Sequence, residues 1–265
     1  MKIGLCAGVD RLDDARRLGY EFVECALRDV AQMDEADFRA LLDEMAASPV
    51  KIEACNCMLP ARIRLTGPNP TPEAELRAYL QTALGRAAQL GVRVVIFGSG
   101  ASRGVSEGFD GAAARAQVAG FLRLAEEYLC EYGVMLGIEP LCRRECNLIN
   151  RVSEAAGFAR ALSLKHVRAM GDVYHMSVEG EPLDALTRAG GYVLHLHAAQ
   201  PLTRRYPDAG GPWTQLFECA AALGDDCRVS VEATLESDFE AEAGRAFEAL
   251  SEARARAAKN GKNDK

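Results

Sequence analysis

Val167-Arg168-Ala169-Met170-Gly171-Asp172-Val173-Tyr174-His175-Met176 is a mostly apolar run that ends in chemistry. Residues 167–173 read as a strand, with an acid near its end and a histidine three positions beyond. A strand stopping at Asp172 leaves that carboxylate on its C-terminal edge and His175 in the loop just past it. Carboxylate oxygen and imidazole nitrogen are both ligands for a divalent metal. Taken alone, the pattern reads more simply as a strand end followed by a helix cap. Three further strands end on an ionisable residue in the same way, and that repetition changes the reading.

Working outward, apolar strand-like runs recur at 2–6, 20–25, 50–56, 92–97, 134–139, 192–197 and 228–232. Helical patterns lie between them at 9–18, 34–47, 72–90, 110–132, 153–162, 181–189 and 213–223, with a last helix at 239–257. Thr71-Pro72-Glu73 supplies a cap candidate, a first-turn proline and a first-turn acid. Gly19, Gly91 and Gly133 are placed as helix stops. Strands joined by helical crossovers run parallel, and nearly continuous apolar strands are covered on both faces. Eight such units in 265 residues predict a single-domain α/β fold, a closed (β/α)8 TIM barrel over residues 1–257, for which about 250 residues is typical. Residues 258–265, Ala-Lys-Asn-Gly-Lys-Asn-Asp-Lys, are expected to form a flexible C-terminal tail. An open doubly wound sheet usually shows Gly-x-Gly-x-x-Gly after its first strand. Here Cys6-Ala7-Gly8-Val9-Asp10 follows instead.

Composition sets limits on function. With 49% hydrophobic and 26% charged residues, the chain has ordinary globular usage. A net charge of −7 argues against nucleic acid as a partner, since gripping phosphate needs clustered Lys and Arg. No apolar run approaches the roughly 20 residues of a membrane span. The N-terminus reads as strand rather than as a signal segment, so the nine cysteines are expected to be thiols in a reducing cytoplasm. Cys55-x-Cys57 and Cys142-x-x-x-Cys146 lack partners at zinc-finger spacing.

In a (β/α)8 barrel the functional groups come from the C-terminal ends of the strands. Those ends read Gly137-Ile138-Glu139-Pro140, Gly171-Asp172-Val173, His195-Leu196-His197 and Ser230-Val231-Glu232-Ala233. Four ionisable groups in apolar runs are costly unless they pair or share a cation. Glu139, Asp172, His197 and Glu232 converging on one rim would make a mixed O/N site suited to Mn2+, Mg2+ or Co2+, with Zn2+ not excluded. His195 shares a face with His197 and reads either as a second donor or as a satisfied core histidine. Ser99 between two glycines has no evident base beside it, so that turn reads as room for a ligand. Arg103, Arg143 and Arg144 read as phosphate contacts or as a solvated basic surface.

With these residues in view, the chain resembles the xylose-isomerase-like barrels, the sugar phosphate isomerase/epimerase group. It is similar in particular to the ketose 3-epimerases. The resemblance runs from Lys2 to about Leu250. Its most specific pieces are Gly137-Ile138-Glu139-Pro140 with Glu145, Gly171-Asp172-Val173-Tyr174-His175-Met176, His195-Leu196-His197, Gly211-Pro212-Trp213 and Val231-Glu232. It implies one divalent metal per chain, Mn2+ favoured, held by Glu139, Asp172, His197 and Glu232. Glu139 and Glu232 would also be the catalytic acid/base pair. Glu145, His175 and either Arg204 or Arg205 would hold substrate hydroxyls. The implied activity is that of an isomerase: proton transfer through an enediolate on a small ketose or sugar phosphate, with 3-epimerisation favoured over aldose–ketose isomerisation. The partner is then a small-molecule sugar, with a homo-oligomer left open. Two alternatives stay open, an inosose-type dehydratase or lyase and a catalytically silent sugar-binding barrel. A nuclease of the endonuclease IV type needs more histidines than the four present, none of which precedes His166.

Overall fold

Along a strand successive side chains point to opposite faces, so in a closed barrel every second residue reaches the axis. In the computed structural model, which describes residues 1–224 and 226–263, eight parallel strands close in the order β1 to β8. They are β1 (Ile3–Cys6), β2 (Phe22–Ala26), β3 (Lys51–Asn56), β4 (Val94–Phe97), β5 (Met135–Ile138), β6 (Val167–Asp172), β7 (Val193–Ala198) and β8 (Arg228–Val231). The helices are α1 (Leu12–Arg17), α2 (Leu27–Gln32), α3 (Glu35–Ala47), α4 (Glu73–Leu90), α5 (Gly100–Arg103) and α6 (Gly111–Tyr132). They continue as α7 (Val152–Leu162), α8 (Val173–Val178), α9 (Asp184–Ala189), α10 (Trp213–Leu223) and α11 (Phe239–Asn263). The expected TIM barrel is the observed fold.

Two apolar layers hold it. Val23, Val95, Leu136 and Leu196 belong to the large cluster between strands and helices. Their alternates Phe22, Ala54, Val94, Ile96 and Met170 form a separate small cluster. Gly4 makes room for the Phe22 ring, because a Cβ there would lie against it. The same alternation, carried two residues on, turns Phe22 into Glu24 and Met170 into Asp172. Register then sets polar residues side by side: Asp172 is opposite His197, and His197 opposite Ser230.

Several expected boundaries move, each for a local reason. Asp172 ends β6 and also caps α8, its side chain accepting from the His175 amide. His175 therefore lies in a helical first turn rather than in a loop. The six-residue α2 and the four-residue α5 are too short to show a 3.6-residue period. Pro72, not Thr71, takes the cap position of α4, since the Thr71 hydroxyl accepts from the Arg64 amide. Asp110 caps α6 as expected. Residues 258–263, expected as tail, continue α11, while 264 and 265 lie outside the described residues. Among the described residues no helix is long and apolar enough to cross a membrane.

Candidate functional site

The four strand ends meet. Glu139, Asp172, His197 and Glu232 each place a donor atom within 4.8 Å of the others. His197 Nδ1 lies 3.4 Å from Glu139 Oε1, 3.6 Å from Asp172 Oδ2 and 3.4 Å from Glu232 Oε2. Donors bound to a shared ion at about 2.0–2.2 Å are roughly 3.0–3.5 Å apart, depending on the angle between them. Glu139 Oε1, Asp172 Oδ2 and His197 Nδ1 are buried and have no hydrogen-bond partner. Leaving three such atoms unsatisfied is expensive, so the residues present fit a small cation.

A buried carboxylate outside this set fixes its chemistry. Glu24, fully buried, accepts from His197 Nε2 at 2.9 Å and His195 Nε2 at 2.8 Å. The Ser230 hydroxyl donates to it at 2.6 Å. Burial would raise the Glu24 pKa, but His197 and then His195 outweigh that and hold it well below the usual value. An ionised Glu24 can only accept, so His197 carries its hydrogen on Nε2. Its Nδ1 then faces the three carboxylates and, with a cation among them, would offer it a lone pair, the arrangement common to metal-bound histidines. His195 fits neither reading given above in full: it stands outside the donor cluster, and as a core histidine it is satisfied at Nε2 alone, its Nδ1 being buried without a partner; burial pushes its pKa down.

The other carboxylates are held in different ways. Asp172 Oδ1 accepts from the His175 amide at 3.0 Å. Glu232 accepts from Asn56 Nδ2 at 3.1 Å and Arg204 Nη2 at 2.7 Å. Glu139 lies against Gly98, where an added Cβ would collide with Glu139 Oε2. Burial, countered in part by His197, raises the Glu139 pKa. For Glu232 burial is outweighed by His197, and the pKa falls. Asp172 is pulled down to about 2, burial being overcome by His175 and then His197. Burial would lower the His197 pKa, yet Glu24 and then Glu232 hold it well above the ordinary histidine value. A divalent cation among these groups would keep all three carboxylates ionised and the imidazole neutral.

Cys142, Glu145 and His175 form a second close trio, but the hydrogen count excludes a metal there. The Cys142 amide donates to His175 Nδ1 at 3.1 Å, which leaves the ring hydrogen on Nε2. That N–H, buried and unpartnered, faces Glu145 Oε2 from 4.0 Å. It is a buried donor with no acceptor within hydrogen-bond distance among the described residues.

The two candidate arginines part company. Arg204, at φ 58°, reaches inward to Glu145 Oε1 at 3.0 Å and to Glu232, over the Tyr174 ring. Arg205 points the other way and pairs with the exposed Glu236 at 2.8 Å, so it does not line the cavity. Arg103 corrects both readings made of it, phosphate contact and solvated surface. It is fully buried and donates to the carbonyls of Gly98 and Glu139 at 2.6 Å each, and to that of Leu148. Arg143 pairs with Glu179. The Ser99 hydroxyl accepts from the Leu59 amide.

A closed parallel barrel with carboxylates and an imidazole gathered at its C-terminal mouth has the architecture of the (β/α)8 barrel enzymes. More narrowly, the chain matches the xylose isomerase-like TIM barrel family over residues 12–256 and belongs to that family. It is similar to the D-psicose 3-epimerase of Ruminiclostridium cellulolyticum, 33% identical over 102 residues that cover 38% of this chain and 34% of that protein. The 3-dehydro-D-guloside 4-epimerase of Escherichia coli is 33% identical over 98 residues, 37% of each chain. These matched segments span well under two thirds of either relative. In fold, the chain overlays a D-psicose 3-epimerase crystallised in the presence of D-fructose with a TM-score of 0.85 at 18% identity, covering 97% of this chain and 99% of that one. An L-ribulose 3-epimerase gives 0.84 at 19% identity, covering 98% and 97%. The relatives are thus named epimerases, of the isomerase class.

Proposed function

We propose that this chain is a divalent-metal-dependent sugar isomerase, a ketose 3-epimerase in the first instance, acting in a reducing cytoplasm. The observation that carries the reading is the convergence of three buried, unpartnered donor atoms with a fourth donor, the Glu232 carboxylate, at the barrel mouth. Glu139, Asp172, His197 and Glu232 would hold the cation, Mn2+ favoured among ions this donor set suits. When bound, the cation supplies Lewis acidity to a carbonyl and its neighbouring hydroxyl. Glu139 and Glu232 come from strands three places apart round the ring. This supports one carboxylate removing the proton beside the carbonyl and the other returning it on the opposite face. His175 Nε2–H and Arg204 would orient the sugar oxygens, and Glu145 would accept from a hydroxyl.

The test is a panel of ketoses and ketose phosphates incubated in heavy water with Mn2+, with deuterium incorporation read by NMR. Exchange at the carbon beside the carbonyl is expected. A complete lack of exchange on every sugar would sink the proposal. Mn2+ alone, at about a hundredfold over its Kd, should stabilise the fold by about 2.7 kcal/mol, seen as a rise in Tm.

Two substitutions test the supports of the cluster. Glu24→Gln replaces an acceptor-only group with an amide that can present a donor to His197. Mn2+ affinity should fall about ten- to a hundredfold, the usual effect of losing such an outer partner. Calorimetric titration checks it, and an unchanged affinity removes Glu24 from the site. Gly98→Ala sets a methyl where Glu139 Oε2 now lies. It should weaken Mn2+ by about tenfold or more, whereas Gly111→Ala, with open space at its Cβ position, should not.

A further inference from the structure

The cavity over the donor cluster has a volume of about 210 Å3, below the roughly 300–1,000 Å3 of sites for drug-sized ligands. That suits one short-chain sugar. Its described lining includes the carboxylates of Glu139, Glu145 and Glu232 and two cations, Arg204 and Arg28. Arg204 is already committed, with Nη1 on Glu145 and Nη2 on Glu232. Arg28 is not. Its Nε lies 3.3 Å from Asp29, with the two side chains 48% and 67% exposed, and an exposed pair between sequence neighbours is weak. Asp29 is not part of the cavity wall, and among the described residues the two terminal nitrogens of Arg28 have no hydrogen-bond partner.

The position of Arg28 gives it a direction. Its amide donates to the Cys57 carbonyl at 3.3 Å, which ties the start of α2 to the turn after β3. Cys57 lines the same cavity, and beyond burial Glu232 pushes its thiol pKa up and Arg28 pulls it down. One cavity thus joins Glu139 and Glu232 of the donor cluster, Cys57 and a guanidinium. Leu59 and Leu141 also line it and offer a polyol tail no polar side-chain atoms. A planar guanidinium with two free donors matches phosphate or carboxylate in bidentate fashion.

Building on the proton-transfer reading above, we propose that the substrate carries an anionic group, phosphate or carboxylate, at the end remote from its reacting carbonyl, and that Arg28 receives it. Each ketose of the panel is assayed in three forms: neutral, phosphorylated at the terminal carbon, and oxidised there to the uronate. The anionic forms should exchange deuterium with a kcat/KM at least tenfold above the neutral form, carried by KM. Whichever of phosphate or uronate is the better identifies the source of the anion. In Arg28→Gln the anionic-over-neutral ratio of kcat/KM should fall at least tenfold, and Arg28→Lys should restore part of it. Neutral ketoses that exchange as fast as their anionic forms, with the ratio unmoved in Arg28→Gln, overturn the anion site and leave the epimerase reading intact. Absence of exchange on all forms overturns the epimerase reading. Inorganic phosphate binding, measured by calorimetry and lost in Arg28→Gln, then supports the anion site alone, and its absence overturns that too.

Discussion

Glu139→Gln and Glu232→Gln should each lower solvent-deuterium exchange by about a thousandfold or more, within the range of general acid–base contributions and the largest effect expected on activity. Glutamine keeps the shape of the side chain and one oxygen for a cation, but its amide nitrogen neither takes nor returns a proton. Two effects have to be separated, because each residue is also read as a ligand. Loss of one negative donor weakens the cation, and raising Mn2+ compensates for that. Loss of proton transfer persists at saturating Mn2+. Exchange is therefore measured across a Mn2+ titration, beside Asp172→Asn, which loses a donor in the same cluster but no proposed proton carrier. If saturating Mn2+ brings either Gln variant within about tenfold of the parent, that carboxylate is a ligand alone. A cluster that only bound sugar would show no exchange even unmutated.

The largest effect on stability belongs to Arg103→Met. A fully buried guanidinium usually faces a carboxylate, but this one faces three carbonyl oxygens, those of Gly98, Glu139 and Leu148. Burial lowers its pKa, and Glu139 supplies part of the opposing field. Methionine fills much of the stem volume and takes a donor from all three carbonyls, leaving that of Leu148 only the Cys146 thiol. Each unsatisfied group costs roughly 1–3 kcal/mol, so a total loss of about 3–5 kcal/mol is expected, lowering Tm by roughly 5–10 °C for a chain of this size. Thermal unfolding by circular dichroism checks it. Arg103→Lys should fall between the two, since one ammonium cannot span three separated acceptors. A Tm for Arg103→Met within about 2 °C of the parent would mean that other donors reach these carbonyls.

The barrel was legible because its strands are apolar runs separated by helices with recognisable ends, such as Asp110 before α6 and Gly133 after it. The mouth was legible because Glu139, Asp172, His197 and Glu232 interrupt those runs where a parallel barrel presents its functional groups. What holds the mouth together was hidden. Glu24 meets His195 and His197 across 171 and 173 residues of chain, a pairing no local pattern encodes. Parity could have flagged it, for Glu24 is an acid inside a run whose neighbours Val23 and Cys25 are core. Arg103 looked like surface because it follows a glycine-rich turn, and only the closure of α5 onto the β5 loop buries it. Arg204 and Arg205 are the same residue type side by side, and the positive φ of Arg204 decides which faces inward. Nothing in their sequence says so.

Asp172 turns one oxygen to the His175 amide and the other to the donor cluster, so the first turn of α8 and one member of that cluster move as one piece. Tyr174 and His175, which face Arg204 and Glu145, ride on that turn. Adding or deleting a residue there to reshape the cavity would drag the carboxylate off its centre. Replacing a side chain on an unmoved backbone would not. Along this edge of the barrel, new specificities are open to exchange of side chains alone, and freedom of loop length begins only past Val178, where the helix has ended.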